Sequence, residues 1–159
     1  MDAGTEALER LYRERYVTFR NGLAPVVGSY EEARDVVQEA FARALRSRAD
    51  FRAEGSLQAW VWKIALRVAL ERRARRGRET TWELLDPQLI ETEREQELAD
   101  ALRRLPPQRR LVVFLRYFAD LSYAEIAEVA GISEGTVAAT LSQARAALME
   151  QLSVEGLQR

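Results

Sequence analysis

The chain has 159 residues, 47% of them hydrophobic, which suits one ordinary globular domain or two small ones and argues against disorder along its whole length. It contains no cysteine and no histidine, so the commonest structural-zinc ligands and the usual thiol and imidazole catalysts are missing. A net charge of -1 hides an abrupt change of sign: six arginines against Glu71 between Leu66 and Arg78, then eight acids against Arg94 between Glu79 and Asp100.

The N-terminal stretch MDAGTEALERLYRERY carries charges where a signal peptide needs an apolar core, and no apolar run approaches a membrane span. A cytoplasmic protein without membrane insertion is expected. Leu8, Leu11, Tyr12, Val17 and Phe19 fall at roughly helical spacing and predict a first helix ending near Asn21-Gly22. Ser29 can cap a second helix, with Glu32 as its capping-box partner. Ala33, Val36, Val37, Ala40, Phe41, Ala44 and Leu45 make one apolar face of that helix, and Arg34, Asp35, Gln38, Glu39, Arg43 and Arg46 occupy the opposite one.

Phe51 to Ser56, FRAEGS, reads as a loop, and Ser56 can cap a third helix that runs into the arginine cluster. Trp60 and Trp62 lie two apart and cannot share a helix face; Trp60 is assigned to the core and Trp62 toward the surface. The acidic stretch with Pro87 reads as a linker over 79–96, separating a first domain, 1–78, from a second, 97–159. Leu98, Ala101, Leu102 and Leu105 form a short amphipathic helix that Pro106-Pro107 interrupts, and Pro107 can start the next, through Leu111, Val112 and Leu115 to about Ala119. Ser122 and Glu125 form another capping box, Gly131-Ile132-Ser133 a turn, and Glu134 to about Leu152 a final helix. No alternation at period two persists, so the fold is all-α.

LSYAEIAEVAGISEGTVAATLSQARAAL has the punctuation of a helix-turn-helix: a short capped helix, a glycine able to take positive φ, and a longer helix capped by Ser133 with its amides aimed at a phosphate. Spacing alone fits an ordinary helical hairpin equally well. From Arg103 to Leu148, however, the chain resembles region 4 of sigma factors of the extracytoplasmic-function type, in which LPP leads into a SYAEIAE-x-x-GIS-x-GTV helix-turn-helix. LYRERY, EEARDVVQEAFARAL and FRAEGSLQAWVWKIALRVALERRARR are similar to region 2 of the same family, in the same order.

The resemblance implies a non-enzymatic factor, without cofactor or metal, whose partners are bacterial core RNA polymerase, promoter DNA and an anti-sigma factor. It places Asp35, Gln38, Glu39 and Arg43 on the polymerase; the residues alone read as a solvated face. It makes Phe51, Arg52 and Ser56 a loop that captures a flipped minus-ten base, although Phe51 serves equally as a core residue closing the second helix against the third. Arg67, Arg72, Arg73, Arg75 and Arg76 supply a cationic surface for the DNA backbone. The helix-turn-helix contacts fall to Ser133, Glu134, Thr136, Val137, Ala139, Thr140, Gln143 and Arg145. This helix departs from the family, which carries basic residues after GTV where Ala138, Thr140, Ser142 and Gln143 stand here. Weak minus-thirty-five binding is therefore expected, with Arg109, Arg110, Arg116 and Arg145 providing most of the charge. A stand-alone helix-turn-helix regulator and a sigma-like adaptor with weak DNA recognition remain alternatives.

Overall fold

The computed structural model describes residues 1–75, 93, 97, 100, 101 and 103–157, with side chains as far as Glu150. The expected linker therefore lies outside the described residues except for Glu93, as do Arg76, Leu98 and Leu102. Among the described residues, the helices that carry the fold are α1 (Ala3–Val27), α2 (Tyr30–Arg46), α3 (Leu57–Arg75), α4 (Pro107–Tyr117), α5 (Tyr123–Ala130) and α6 (Glu134–Leu157), with a 3-10 turn at Arg48–Asp50. The described residues contain no strand, and no described helix is long and apolar enough to cross a membrane.

Helix α1 does not stop at Asn21-Gly22. It continues through Pro25 to Val27 and ends at Gly28, whose φ of 99° is the left-handed conformation that glycine adopts without penalty. The physical reason is burial: Leu23, Ala24, Val26 and Val27 all enter the core, which offsets the weak helix propensity of Gly22 and the lost donor of Pro25. At its start Asp2 accepts the Thr5 amide at 2.8 Å and the Arg48 guanidinium at 2.9 Å, so one carboxylate caps α1 and ties it to the turn after α2. Those bonds, the Thr5 amide foremost, lower the Asp2 carboxyl to a pKa of about 2.

The capping signals hold elsewhere. Ser29 accepts the Glu32 amide, Ser122 and Glu125 complete a reciprocal capping box, and Gly131 takes φ 70° at the turn. Pro107 occupies the first turn of α4, where a missing amide costs nothing. Helix α6 runs past Leu152 to Leu157.

Helices α1, α2 and α3 pack on one another, as do α4, α5 and α6, and α3 also packs against α5. One cluster of buried residues passes through both groups. Its spine is aromatic. Phe41 meets Phe19 edge-on at 5.4 Å, Phe19 stacks on Trp62 at 4.4 Å, Trp62 meets Phe114 at 6.2 Å and 82°, and Phe114 stacks on Phe118 at 5.7 Å. Such pairs each add about 0.5–1.5 kcal/mol beyond the area they bury. The tryptophan assignment is thereby reversed: Trp62 is fully buried between the two halves, and Trp60 is half-buried against Phe51 at 5.4 Å. Val17, expected inside, is 56% exposed, and Leu45 lies at the surface end of its apolar face.

Candidate nucleic-acid interface and protein-facing patch

The four residues expected on the polymerase do share the polar side of α2, but they differ in freedom. Gln38 is exposed. Arg43 donates to Glu39 at 2.9 Å and, through two nitrogens, to both oxygens of Glu71 on α3 at 3.2 and 2.9 Å, while Arg46 reaches Glu39 at 3.5 Å. This paired geometry lowers the Glu71 and Glu39 carboxyls, in each case chiefly through the Arg43 hydrogen bond, and raises the Arg43 guanidinium through Glu71 and then Glu39. Asp35 sits 4.0 Å from Arg72, which lies 3.5 Å from Glu32. Arg43 thus ties α2 to α3 as well as presenting charge. Beside Gln38, a groove of about 400 Å³ opens between α1 and α2, floored by Leu8, Phe41, Ala42 and Leu45 with Tyr12 on its wall. It was not anticipated; the signal was Leu45, one apolar residue too many at the exposed end of α2.

The FRAEGS loop follows the 3-10 turn. Arg52 is exposed and Phe51 is half-buried on Trp60, so the loop offers one aromatic already engaged and one exposed cation at its start. Ser56 caps α3 by accepting the Ala59 amide at 3.2 Å. Its other groups are also used: the hydroxyl donates to Glu125 Oε2 at 2.6 Å, and the amide donates to the Glu128 carboxylate at 3.2 and 3.3 Å. Both acids belong to α5, in the other half of the chain.

The arginines beyond the loop divide by helix face. Arg67 and Arg75 are exposed, and Arg72 is half-buried against α2 acids. Arg73, expected on the DNA-facing surface, is only 6% exposed: its guanidinium donates to the Val26 carbonyl at 2.6 Å, supplying a partner at the end of α1, where backbone acceptors run out. Arg76 falls outside the described residues.

In the helix-turn-helix, Ser133 caps α6 by accepting the Thr136 amide at 3.1 Å, and its hydroxyl lies 2.8 Å from that of Thr136. Glu134, Thr136, Ala139, Gln143 and Arg145 are exposed along α6. Val137 and Thr140 are corrections: Val137 is fully buried and Thr140 is 8% exposed, because these positions face α4 and α5 with Leu141 and Ala144. The expected cations are partly committed. Arg110 donates to the carbonyls of Arg103 and Leu105, Arg116 to that of Leu121 while lying over the Tyr123 ring at 5.3 Å, and Arg145 to the Tyr117 hydroxyl at 3.1 Å. That last bond is the main reason the Arg145 guanidinium is raised. Arg109 is half-exposed. The described residues contain no group of His, Cys, Asp or Glu that could hold a metal ion.

Two family models match the chain in order, "Sigma-70 region 2" over residues 10–79 and "Sigma-70, region 4" over residues 95–148. Among similar proteins, the RNA polymerase sigma factor YlaC of Bacillus subtilis is 30% identical over 161 residues, covering 93% of each chain. The RNA polymerase sigma factor SigV of the same organism is 32% identical over 136 residues and 82% of each chain. A solved structure of CnrH in complex with the cytosolic domain of CnrY superposes with TM-score 0.68 at 25% identity, over 94% of this chain and 90% of that one. The sigma factor RpoE of Bartonella quintana, in complex with the anti-sigma factor NepR, has the same fold at TM-score 0.64 and 23% identity, over 92% of this chain and 98% of that one.

Proposed function

The chain belongs to the extracytoplasmic-function branch of the sigma-70 family of RNA polymerase sigma factors, and on that premise we propose that it binds bacterial core RNA polymerase and directs promoter-specific initiation. The observation that carries the function is the order of two matched regions, region 2 and then region 4, on one all-helical chain. The protein works without catalytic chemistry of its own, in the cytoplasm, and under an anti-sigma factor.

The division of labour follows the surfaces. Gln38, with Asp35 and the Glu39–Arg43 pair beside it, faces the polymerase; the Glu71 bond holds Arg43 in place for that contact. Arg52 and Ser56 meet the flipped minus-ten base, with Phe51 and Trp60 forming the wall it stacks near. Arg67 and Arg75 hold the backbone electrostatically. In region 4, the amides at the start of α6 donate to a phosphate while Glu134, Thr136, Ala139 and Gln143 reach base edges, with Arg145 at the flank. With so little free positive charge on α6, minus-thirty-five binding is weak without polymerase. Run-off transcription from a promoter library with bacterial core polymerase tests the reading. Protein-dependent starts at one motif are expected; polymerase binding without initiation would point to an adaptor, and no polymerase binding to a stand-alone regulator.

A further inference from the structure

Lys63, Arg67, Glu71 and Arg75 lie four residues apart on α3 and share one face of that helix, one acid in a row of three cations. Lys63, Arg67 and Arg75 are exposed, and Arg75 folds back so that its Nε donates to the Glu71 carbonyl at 3.4 Å. The Glu71 carboxyl is lowered first by the Arg43 hydrogen bond and then by the charges of Arg43, Arg75 and Arg67, against the opposing effect of burial. Both arginines of the row therefore lie within the field of this carboxylate. A DNA phosphate held by them meets the same field with the opposite sign, because a glutamate of this kind is ionised at neutral pH.

The repulsion is answered from another helix. Arg43 of α2 brings two nitrogens to the two Glu71 oxygens, at 3.2 and 2.9 Å, and its Nε to Glu39 at 2.9 Å, while Arg46 lies 3.5 Å from Glu39. Two guanidiniums thus face two carboxylates, and the charges of the group cancel. The Arg43 and Glu71 side chains keep 33% and 40% of their surface, so the pair is open enough to act on a ligand arriving at this face.

We propose that Arg43 is a positioning residue for promoter DNA as well as part of the polymerase patch: by neutralising Glu71 it turns the Lys63–Arg67–Glu71–Arg75 face of α3 into an uninterrupted phosphate-binding track. This rests on the sigma-factor reading above. Arg43 touches no phosphate itself. It sets the charge that the phosphate meets, so DNA affinity depends on a residue of the protein-facing helix acting through α3.

The test is a double-mutant cycle in the full chain, Arg43→Gln, Glu71→Gln and both together, with Arg43→Lys as the variant that keeps the charge. Each protein is assembled with bacterial core polymerase at a concentration shown to saturate that variant. The dissociation constant of a fluorescent promoter fragment recovered from the run-off library is then followed from low to physiological salt. Arg43→Gln should weaken DNA binding about fivefold at low salt and make the slope of log affinity against log salt shallower by about one. Glu71→Gln should bind at least as tightly as the wild type, and the double variant should return to the wild-type affinity and slope. Arg43→Lys should stay within about twofold of the wild type, since lysine supplies the same charge without the two-nitrogen geometry. A mere brace between α2 and α3 gives the reverse pattern, because either single variant breaks it and the double variant does not recover. Weaker binding by Glu71→Gln, a double variant no better than Arg43→Gln, or equal affinity throughout would each overturn the proposal. A wild type that never initiates with polymerase would instead remove the sigma-factor reading, and the role of Arg43 with it.

Discussion

Gly22→Ala sets two forces of known sign against each other. In the interior of α1 an alanine should stabilise the helix by about 0.8–1 kcal/mol relative to glycine. Gly22 is buried where α1 meets both α3 and the end of α4, and a Cβ there would lie 3.1 Å from Trp62 Cη2 and 3.2 Å from the Phe118 carbonyl oxygen. Neither neighbour yields easily: the Trp62 ring is stacked on Phe19 at 4.4 Å and the Phe118 oxygen is backbone. Overpacking of this kind costs about 1–3 kcal/mol, so the chain should lose about 1 kcal/mol net. For a chain of this size that is a fall in thermal midpoint of roughly 2–4 °C. Circular dichroism melting reads it, and amide exchange in α4 should quicken while the middle of α1 stays protected. A midpoint that rises by the helix-propensity gain would refute the reasoning, since it would mean that the Phe118 turn does not rest on Gly22 in solution.

Arg73→Gln should destabilise the chain by about 2 kcal/mol, because the guanidinium that serves the end of α1 is buried. It should leave the salt dependence of promoter binding unchanged; Arg67→Gln should do the reverse, reducing the slope of log affinity against log salt by about one. Carboxyl resonances of Glu71 and Glu39 should titrate below the ordinary glutamate range in the wild type and move up toward it in Arg43→Gln, which removes the largest of the causes that lower them. Because both carboxyls are depressed on folding, their contribution is complete above the unfolded pKa and fades as pH falls through the lowered values, so the variant should lose that part of the acid dependence of stability. Val137→Ala should cost about 2 kcal/mol for two buried methyl groups and the space they leave, while Gln143→Ala should leave the melting curve unchanged and alter preference at the minus-thirty-five element.

Much of the molecule is legible residue by residue because helix ends are local events. Ser29, Ser56, Ser122, Ser133, Gly131 and Pro107 act on backbone groups within a few positions, and each stands where those short-range rules put it. The apolar face of α2 and the helix-turn-helix follow from the same short range, and the region 2 and region 4 motifs were readable as strings. Arg73, Val137 and Thr140 were misplaced because a motif names positions without saying which side of a helix another helix covers.

What only the tertiary structure decided depends on contacts far apart in the chain. Trp60 and Trp62 have the same propensity and the same two-residue offset; Trp62 is the buried one because Phe19 and Phe114 arrive on its side. Helix α1 passes Gly22 and Pro25 because the core rewards Leu23, Val26 and Val27, a gain no local window contains. Ser56 is a helix cap by its neighbours, and it also ties the two halves together because α5, some seventy residues later, brings Glu125 and Glu128 within hydrogen-bond reach. Local chemistry determined the helices and their ends, whereas the burial of one face rather than another was decided by which distant surface came to cover it.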